Sequence, residues 1–179
     1  MNLPFIYALP WAAALIILFA SATRDLKDRI IPNEYVVIVA AIGVAQCIAT
    51  RPGLAWVSLL AAAGTLIGLG FLAHWNLIGG GDVKMISAVT LLVPPNQAPV
   101  LLIDIALAGG VLSCMYLAAH HAFRGITVSQ AAEAGFAPPV SRLARLVKTE
   151  HARIAAGDSL PYALAILGGV IAYMAREFI

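Results

Sequence analysis

The chain has 179 residues, of which 61% are hydrophobic and only 11% are charged, with a mean hydropathy of +0.92. Soluble domains carry about 25% charged residues, so this composition excludes an ordinary soluble protein. The formal charge of +2 gives no reason to expect nucleic acid as a partner, and we expect membrane lipids around the chain. Apolar residues occur in runs of about 20, the length that crosses a hydrocarbon layer of about 30 Å as a helix. We therefore predict an all-α, polytopic membrane protein.

Six apolar segments follow one another, and residues 1–179 are predicted to form a single membrane-embedded domain with six transmembrane helices. The segments cover residues 4–24, 34–50, 54–75, a short stretch ending at 93, 97–122 and 159–178. The first is expected to be a retained span, because a signal peptide has its positive charge before the apolar stretch and here Arg24 follows it. A tight turn at Arg51 makes the second and third spans antiparallel neighbours. Small residues of the third span, Gly64 and Gly68 among them, are expected to permit close helix packing.

Lysine and arginine residues are unevenly divided between the two sides that six spans define. With the N-terminus outside, nine of the 11 fall on the cytoplasmic side, and only Arg51 and Arg176 fall outside. This is the bias of the positive-inside rule. It places the patch around Asp25, the segment 79–84 and a polar loop at about 123–157 on the cytoplasmic face. Within that loop, residues 140–156 have the pattern of an amphipathic helix that lies on lipid or binds an acidic partner segment.

Asp25 and Asp82 come from distant parts of the chain, and both are predicted to lie at the cytoplasmic membrane face. Asp82 must lie on the first turn of a helix if the short apolar segment after it is to span. Two carboxyls that face each other across a water suit an aspartic protease, in which one takes a proton from water and the other donates one to the scissile carbonyl. Asp28 cannot replace Asp82, because it points the same way as Asp25 on one helix. The alternatives are an interfacial anchor for Asp25 and a helix-dipole carboxylate for Asp82.

The residues around both aspartates resemble those of the prepilin peptidase family. Gly79-Gly80-Gly81-Asp82 fits the G-x-G-D signature of membrane aspartic proteases. The segment that starts at Asp25 and ends in Pro32-Asn33 is similar to the first-aspartate motif of type IV prepilin peptidases. Val83-Lys84 after the second aspartate is similar as well, and so is Pro161-Tyr162 with Ala165-Ile166 in the last span. The short chain most resembles the peptidases of tight-adherence (Flp) pilus systems.

The resemblance implies an aspartic endopeptidase with Asp25 and Asp82 as its catalytic pair. It would cut the short basic leader from prepilin or pseudopilin precursors at the cytoplasmic face of the bacterial inner (plasma) membrane. The glycines would let an extended substrate backbone approach Asp82, with Lys84, Pro32 and Asn33 as supporting residues. Larger family members carry paired C-x-x-C motifs in a domain associated with methylation of the new pilin N-terminus. None is present here, so we expect no metal, no cofactor and no methyltransferase activity.

Two other classes of function stay open on the sequence. A non-enzymatic membrane subunit of a pilus or type II-like secretion assembly would use the acidic residues for packing or topology. Proton-coupled transport would use Asp25, Asp82 and Asp104. The predicted topology places Asp104 nearer the outer interface, however, where we expect it to be hydrogen-bonded and structural. Which aspartate holds the proton, which pilin is cut and the oligomeric state also stay open.

Overall fold

The computed structural model describes residues 3–75, 77–123 and 160–178. All regular structure in these ranges is helical: α1 (Leu3–Asp28), α2 (Asn33–Thr50), α3 (Ala55–His74), α4 (Gly80–Thr90), α5 (Ala98–Phe123) and α6 (Tyr162–Phe178). A 3-10 turn at Pro52–Leu54 joins α2 to α3. The predicted all-α fold class is confirmed for this part of the chain. Apart from its first residue, the loop predicted at 123–157 lies outside the described residues, as does its amphipathic stretch at 140–156.

Four segments of the described chain are long and apolar enough to cross a membrane: Leu9–Asp28, Asn33–Thr50, Pro52–His74 and Ala98–Ala118. They agree with the first, second, third and fifth predicted spans. α4 has 11 residues, about 16 Å of helix, which is too short to cross a core of about 30 Å by itself. α6 has 17 residues. These helices support a multi-pass membrane protein, while six spans and an external N-terminus stay predictions.

The helix bundle has two ends, because successive helices run in opposite directions. Short connections join α1 to α2 and α3 to α4 at one end, which we call the aspartate end because Asp25 and Asp82 lie there. α6 begins at this end, where the Ala163 backbone contacts Asp25. The α2–α3 and α4–α5 connections lie at the opposite, distal end, where the Arg51 guanidinium donates to the Leu92 carbonyl at 3.3 Å.

The core of the bundle is built around α4. Every residue of α4 from Met85 to Thr90 is buried, mainly between α2 and α3 and with smaller contacts to α5 and α6. α1 buries one face at helical spacing, with Trp11, Ala14 and Leu18 turned to the core. The outward face of α3 carries large exposed apolar side chains, as expected of a helix surrounded by lipid: Trp56, Leu59, Leu60, Ile67 and Phe71.

The small residues of α3 differ in packing: Ala62 is buried, as the sequence suggested, whereas Gly64 and Gly68 do not have the predicted packing role. A side chain added at Gly64 or Gly68 would meet no other described residue within 4 Å. α3 packs on α4 through a different face, and its buried residues are Ser58 and Ala62. The expectation was wrong for these glycines because positions 58, 62, 65 and 69 share one face of a helix, whereas 64 and 68 lie on another.

α5 and α6 approach each other so closely at Gly169 that a methyl group has no room. A Cβ there would lie 2.4 Å from the Cα and 2.6 Å from the nitrogen of Ile105. Because the obstacle is backbone, the two helices would have to separate. We expect Gly169→Ala to destabilise the protein by about 1–3 kcal/mol, the usual cost of overpacking. The measurement is the midpoint of thermal unfolding in detergent.

Gly110→Ala is the matched control, since an added methyl at Gly110 on α5 meets no other described residue within 4 Å. It should leave the midpoint unchanged or raise it slightly, because alanine favours a helix interior over glycine. Equal losses in both variants would contradict the close α5–α6 contact.

Candidate functional site

Asp25 lies in the last turn of α1 and is only 6% exposed. Its Oδ2 accepts a 3.0 Å hydrogen bond from the backbone N–H of Ala163, in the first turn of α6. The first N–H groups of a helix lack partners within the helix and carry partial positive charge, which stabilises a carboxylate. α1 ends at Asp28, because the next residue, Arg29, adopts a left-handed φ of 55° and its N–H donates to the backbone carbonyl of Asp25 at 2.9 Å. The carboxyl is thereby held at the junction of α1 and α6.

Asp82 is the third residue of α4 and lies outside the four candidate spans. Its predicted position on the first turn of a helix is confirmed. The Gly79 backbone N–H donates to its carboxyl, a local arrangement in which a third-position carboxylate caps its own helix. Burial and, second, the charge of Asp25 raise the pKa of Asp82 to about 7, whereas the hydrogen bond from Gly79 acts in the opposite direction. The carboxyl is therefore half protonated near neutral pH.

The structure brings Asp25 and Asp82 together and leaves Asp28 apart. The charge of Asp25 acts on Asp82, so the two carboxyls interact across the space between α1 and α4. Asp28 has an exposed side chain that forms a 4.0 Å ion pair with Arg24, and exposed pairs of this kind contribute little to stability. Of the two aspartates at the end of α1, only Asp25 is buried beside the start of another helix.

The three glycines before Asp82 differ in what surrounds them. A Cβ at Gly79 would lie 2.6 Å from Asp82 Oδ2, so Gly79 leaves room for the carboxyl. A Cβ at Gly81 would lie 3.3 Å from the Cβ of Ile31, so Gly81 leaves room for the α1–α2 connection. A Cβ at Gly80 would meet no other described residue within 4 Å. Gly80 is therefore the glycine whose missing side chain leaves open space.

Lys84 and Asn33 connect the two motif segments. Lys84 Nζ donates to Asn33 Oδ1 at 3.3 Å. Asn33 is the first residue of α2, and Pro32 before it has a φ of −60° and a ψ of 135°, the extended conformation usual for a residue that precedes a helix. Together with the packing of Ile31 on Gly81, this contact holds the start of α2 beside the start of α4.

Sequence reasoning missed the contribution of α6 to the site. The donor to Asp25 is a backbone N–H 138 positions away. Because almost every residue has a backbone N–H, the type of residue at that position does not indicate the donor. Pro161 before an apolar run does signal a helix start, which is the only sequence sign of this donor. A Cβ at Gly109 on α5 would lie 3.2 Å from the Tyr162 ring, so the first turn of α6 packs closely against α5.

Asp104 lies far from this site, toward the distal end. Its two carboxylate oxygens accept hydrogen bonds of 3.1 and 2.6 Å from the Arg176 guanidinium, and the residue is 8% exposed. This bidentate pair agrees with the expectation that Asp104 is hydrogen-bonded and structural. Among the residues that the structure describes, no group of three or more histidine, cysteine or acidic side chains could hold a metal ion.

Comparison with known proteins identifies one related family. The model of the type IV leader peptidase family matches residues 12–114, which is more than half of the chain and includes both aspartates. Comparison with curated proteins and with solved structures gives no match.

Proposed function

Because the chain belongs to the type IV leader peptidase family, we propose that it is a membrane aspartic endopeptidase whose catalytic pair is Asp25 and Asp82. The observation that carries this proposal is that two carboxyls from separate helices, at the end of α1 and at the start of α4, reach one end of the bundle, close enough for the charge of Asp25 to raise the pKa of Asp82. A pair of aspartates with unequal proton affinities is what hydrolysis by an activated water requires.

The surroundings of the two carboxyls support different roles for them. Asp25 accepts a backbone hydrogen bond from the N-terminus of α6, which suits a carboxylate that acts as the base. Asp82 is desolvated and repelled by Asp25, and its pKa of about 7 suits a group that keeps a proton to donate. We assign the base to Asp25 and the acid to Asp82, although the proton belongs to the coupled pair as a whole.

The proposed reaction returns both groups to their starting state. Asp25 takes a proton from a water, whose oxygen attacks the scissile carbonyl carbon while Asp82 donates its proton to the carbonyl oxygen. The tetrahedral intermediate collapses when Asp25 passes its proton to the leaving amine and the C–N bond breaks. Asp82 regains a proton from the hydroxyl that becomes the new carboxyl group.

The proposed substrate is a prepilin or pseudopilin precursor, in which a short basic leader precedes an apolar helix. The apolar helix would lie in the membrane beside the bundle, so that its junction with the leader meets the aspartates. We further propose that the aspartate end faces the cytoplasm of a bacterial inner membrane. Within the described chain, this end carries Arg24, Lys27, Arg29 and Lys84, whereas the distal end carries Arg51 and Arg176, a difference in the direction of the positive-inside rule.

Incubation of the purified protein in nanodiscs with a prepilin tests this function. Mass determination of the product should show removal of the leader at a single bond, and a chelator should leave the rate unchanged. Absence of cleavage with prepilins of both the type IV and the Flp class would overturn the proposal in favour of the non-enzymatic pilus subunit. A transport function would instead require Asp104, which is paired with Arg176.

Gly80→Val tests whether the glycine segment admits an extended substrate. The valine would occupy space that is open in the described structure, beside Asp82 but without contact to it. We expect kcat/KM for a precursor to fall about 10-fold to 100-fold, the scale on which small displacements of a bound substrate act. Gly81→Val is a poorer test, because it would also crowd Ile31.

The control for this substitution is Gly64→Val, at an equally open position on α3. It should leave cleavage unchanged, and both variants should unfold at the wild-type temperature. Full activity in Gly80→Val would remove Gly80 from the path of the substrate.

A further inference from the structure

A cavity of about 250 Å³ lies at the distal end, away from the two aspartates. Its walls come from α1, from the C-terminal end of α2, from the α4–α5 connection and from α6. The volume is much larger than the roughly 30 Å³ that one water occupies in the liquid. The cavity therefore has room for a small organic group.

The first indication of a ligand is Gln46, which lines the cavity and is only 4% exposed. Its Oε1 atom is buried and has no hydrogen-bond partner among the described residues. A buried acceptor without a partner is costly, and such groups are rare in folded proteins. Gln46 thus offers the cavity an acceptor for a hydrogen-bond donor.

The second indication is a pair of opposite charges on the cavity wall. Arg51 uses Nη2 to donate to the Leu92 carbonyl, while its buried Nη1 has no partner among the described residues. Glu177 accepts from Gln97 Nε2 through Oε2, at 3.1 Å, and a carboxylate can accept several further hydrogen bonds. The cavity therefore presents a donor for an anion and acceptors for a cation.

The cavity lies at the depth of the lipid headgroups. Arg51 stands between the candidate spans Asn33–Thr50 and Pro52–His74, so it marks the end of both. Trp11 and Tyr173 line the same cavity and stack with ring centroids 5.9 Å apart. Tryptophan and tyrosine are typical of the membrane interface, where one side of the ring is apolar and the other meets water.

We propose that this distal cavity binds the headgroup of a phospholipid that carries both a phosphate and a primary ammonium, as phosphatidylethanolamine does. The phosphate lies at Arg51, and the ammonium lies at Gln46 Oε1 and the Glu177 carboxylate. The aromatic walls contact the glycerol part, from which the acyl chains reach the surrounding lipid. This site does not depend on the proposed peptidase activity.

Native mass spectrometry of the delipidated full-length protein in detergent tests the proposal with three probes: phosphatidylethanolamine, phosphatidylglycerol and inorganic phosphate. Wild-type protein should retain one phosphatidylethanolamine in preference to phosphatidylglycerol, and inorganic phosphate should not compete at equal concentration. Equal retention of the two lipids, or displacement by phosphate, would overturn the proposal.

Variants assign the two halves of the site. Arg51→Gln should weaken phosphatidylethanolamine binding about tenfold or more, as expected for loss of a hydrogen bond to a charged group. Glu177→Gln should remove the preference over phosphatidylglycerol, and Gln46→Met, which keeps the side-chain length, should weaken binding without loss of the fold. Arg24→Gln removes the same charge at the aspartate end and should bind as wild type. Equal binding by Arg51→Gln and Arg24→Gln would overturn the assignment.

Discussion

Asparagine at either Asp25 or Asp82 is expected to abolish cleavage of a prepilin-like precursor, with a loss of at least about 10²–10⁴-fold, the contribution of a general acid or base. Asparagine keeps the size and polarity of the side chain but cannot exchange the proton. At Asp25 it still accepts the hydrogen bond from Ala163, and at Asp82 it still accepts the one from Gly79. The local helix ends should therefore remain intact while the chemistry fails.

Asp28→Asn is the matched control for these two substitutions. It makes the same chemical change within one turn of Asp25, but the side chain is exposed and pairs only weakly with Arg24. We expect wild-type cleavage from it, measured as the mass shift of a precursor expressed in the same cells. Membrane insertion of each variant is checked by size-exclusion chromatography after extraction. Cleavage that persists in both Asp25→Asn and Asp82→Asn would contradict the aspartic mechanism.

The positions of the long helices could be predicted because each depends on a local property. A run of about 20 apolar residues is long enough to span, and Pro32 and the turn at Arg51 mark where such runs are interrupted. The same local reasoning gives the first turn of α4, since Asp82 follows directly on the glycines. Local reasoning does not predict the length of α4, because the helix ends at Thr90 within a buried apolar stretch. Burial alone does not determine whether such a stretch continues as a helix.

Contacts between distant segments could be predicted only where residue type signals them. A buried aspartate requires a partner, so the hydrogen-bonded role expected of Asp104 follows from its charge, but the sequence did not identify Arg176 as that partner. The Ala163 N–H at Asp25 is a backbone donor and has no such signal. The glycines of α3 show the opposite case. Their spacing suggests close helix packing, but Gly64 and Gly68 contact no other helix among the described residues because they lie on a face of α3 that points away from α4. For the candidate site, the sequence thus indicates both aspartates and not the helix end that holds one of them.

The pH dependence of cleavage tests which aspartate holds the proton. Because burial and Asp25 raise the pKa of Asp82 to about 7, Asp82 is protonated below that pH and loses its proton above it. If Asp82 is the acid, kcat/KM should fall tenfold for each unit of pH above about 7, since the active fraction is the protonated one.

The effect of Asp25 on the pKa of Asp82 can be measured separately from the effect of that pKa on the cleavage rate. Asp25→Asn removes the negative charge that opposes ionisation of Asp82, so the pKa of Asp82 should fall while burial still holds it above the ordinary value of 3.8. Carbon-13 NMR of aspartate-labelled protein in nanodiscs measures this shift without any need for activity. Asp28→Asn should leave the titration of Asp82 in place, because Asp28 is not among the groups that act on it. If the pKa of Asp82 is the same with and without the Asp25 charge, the two carboxyls do not share a site. The assignment of Asp25 as the base and Asp82 as the acid would then be wrong.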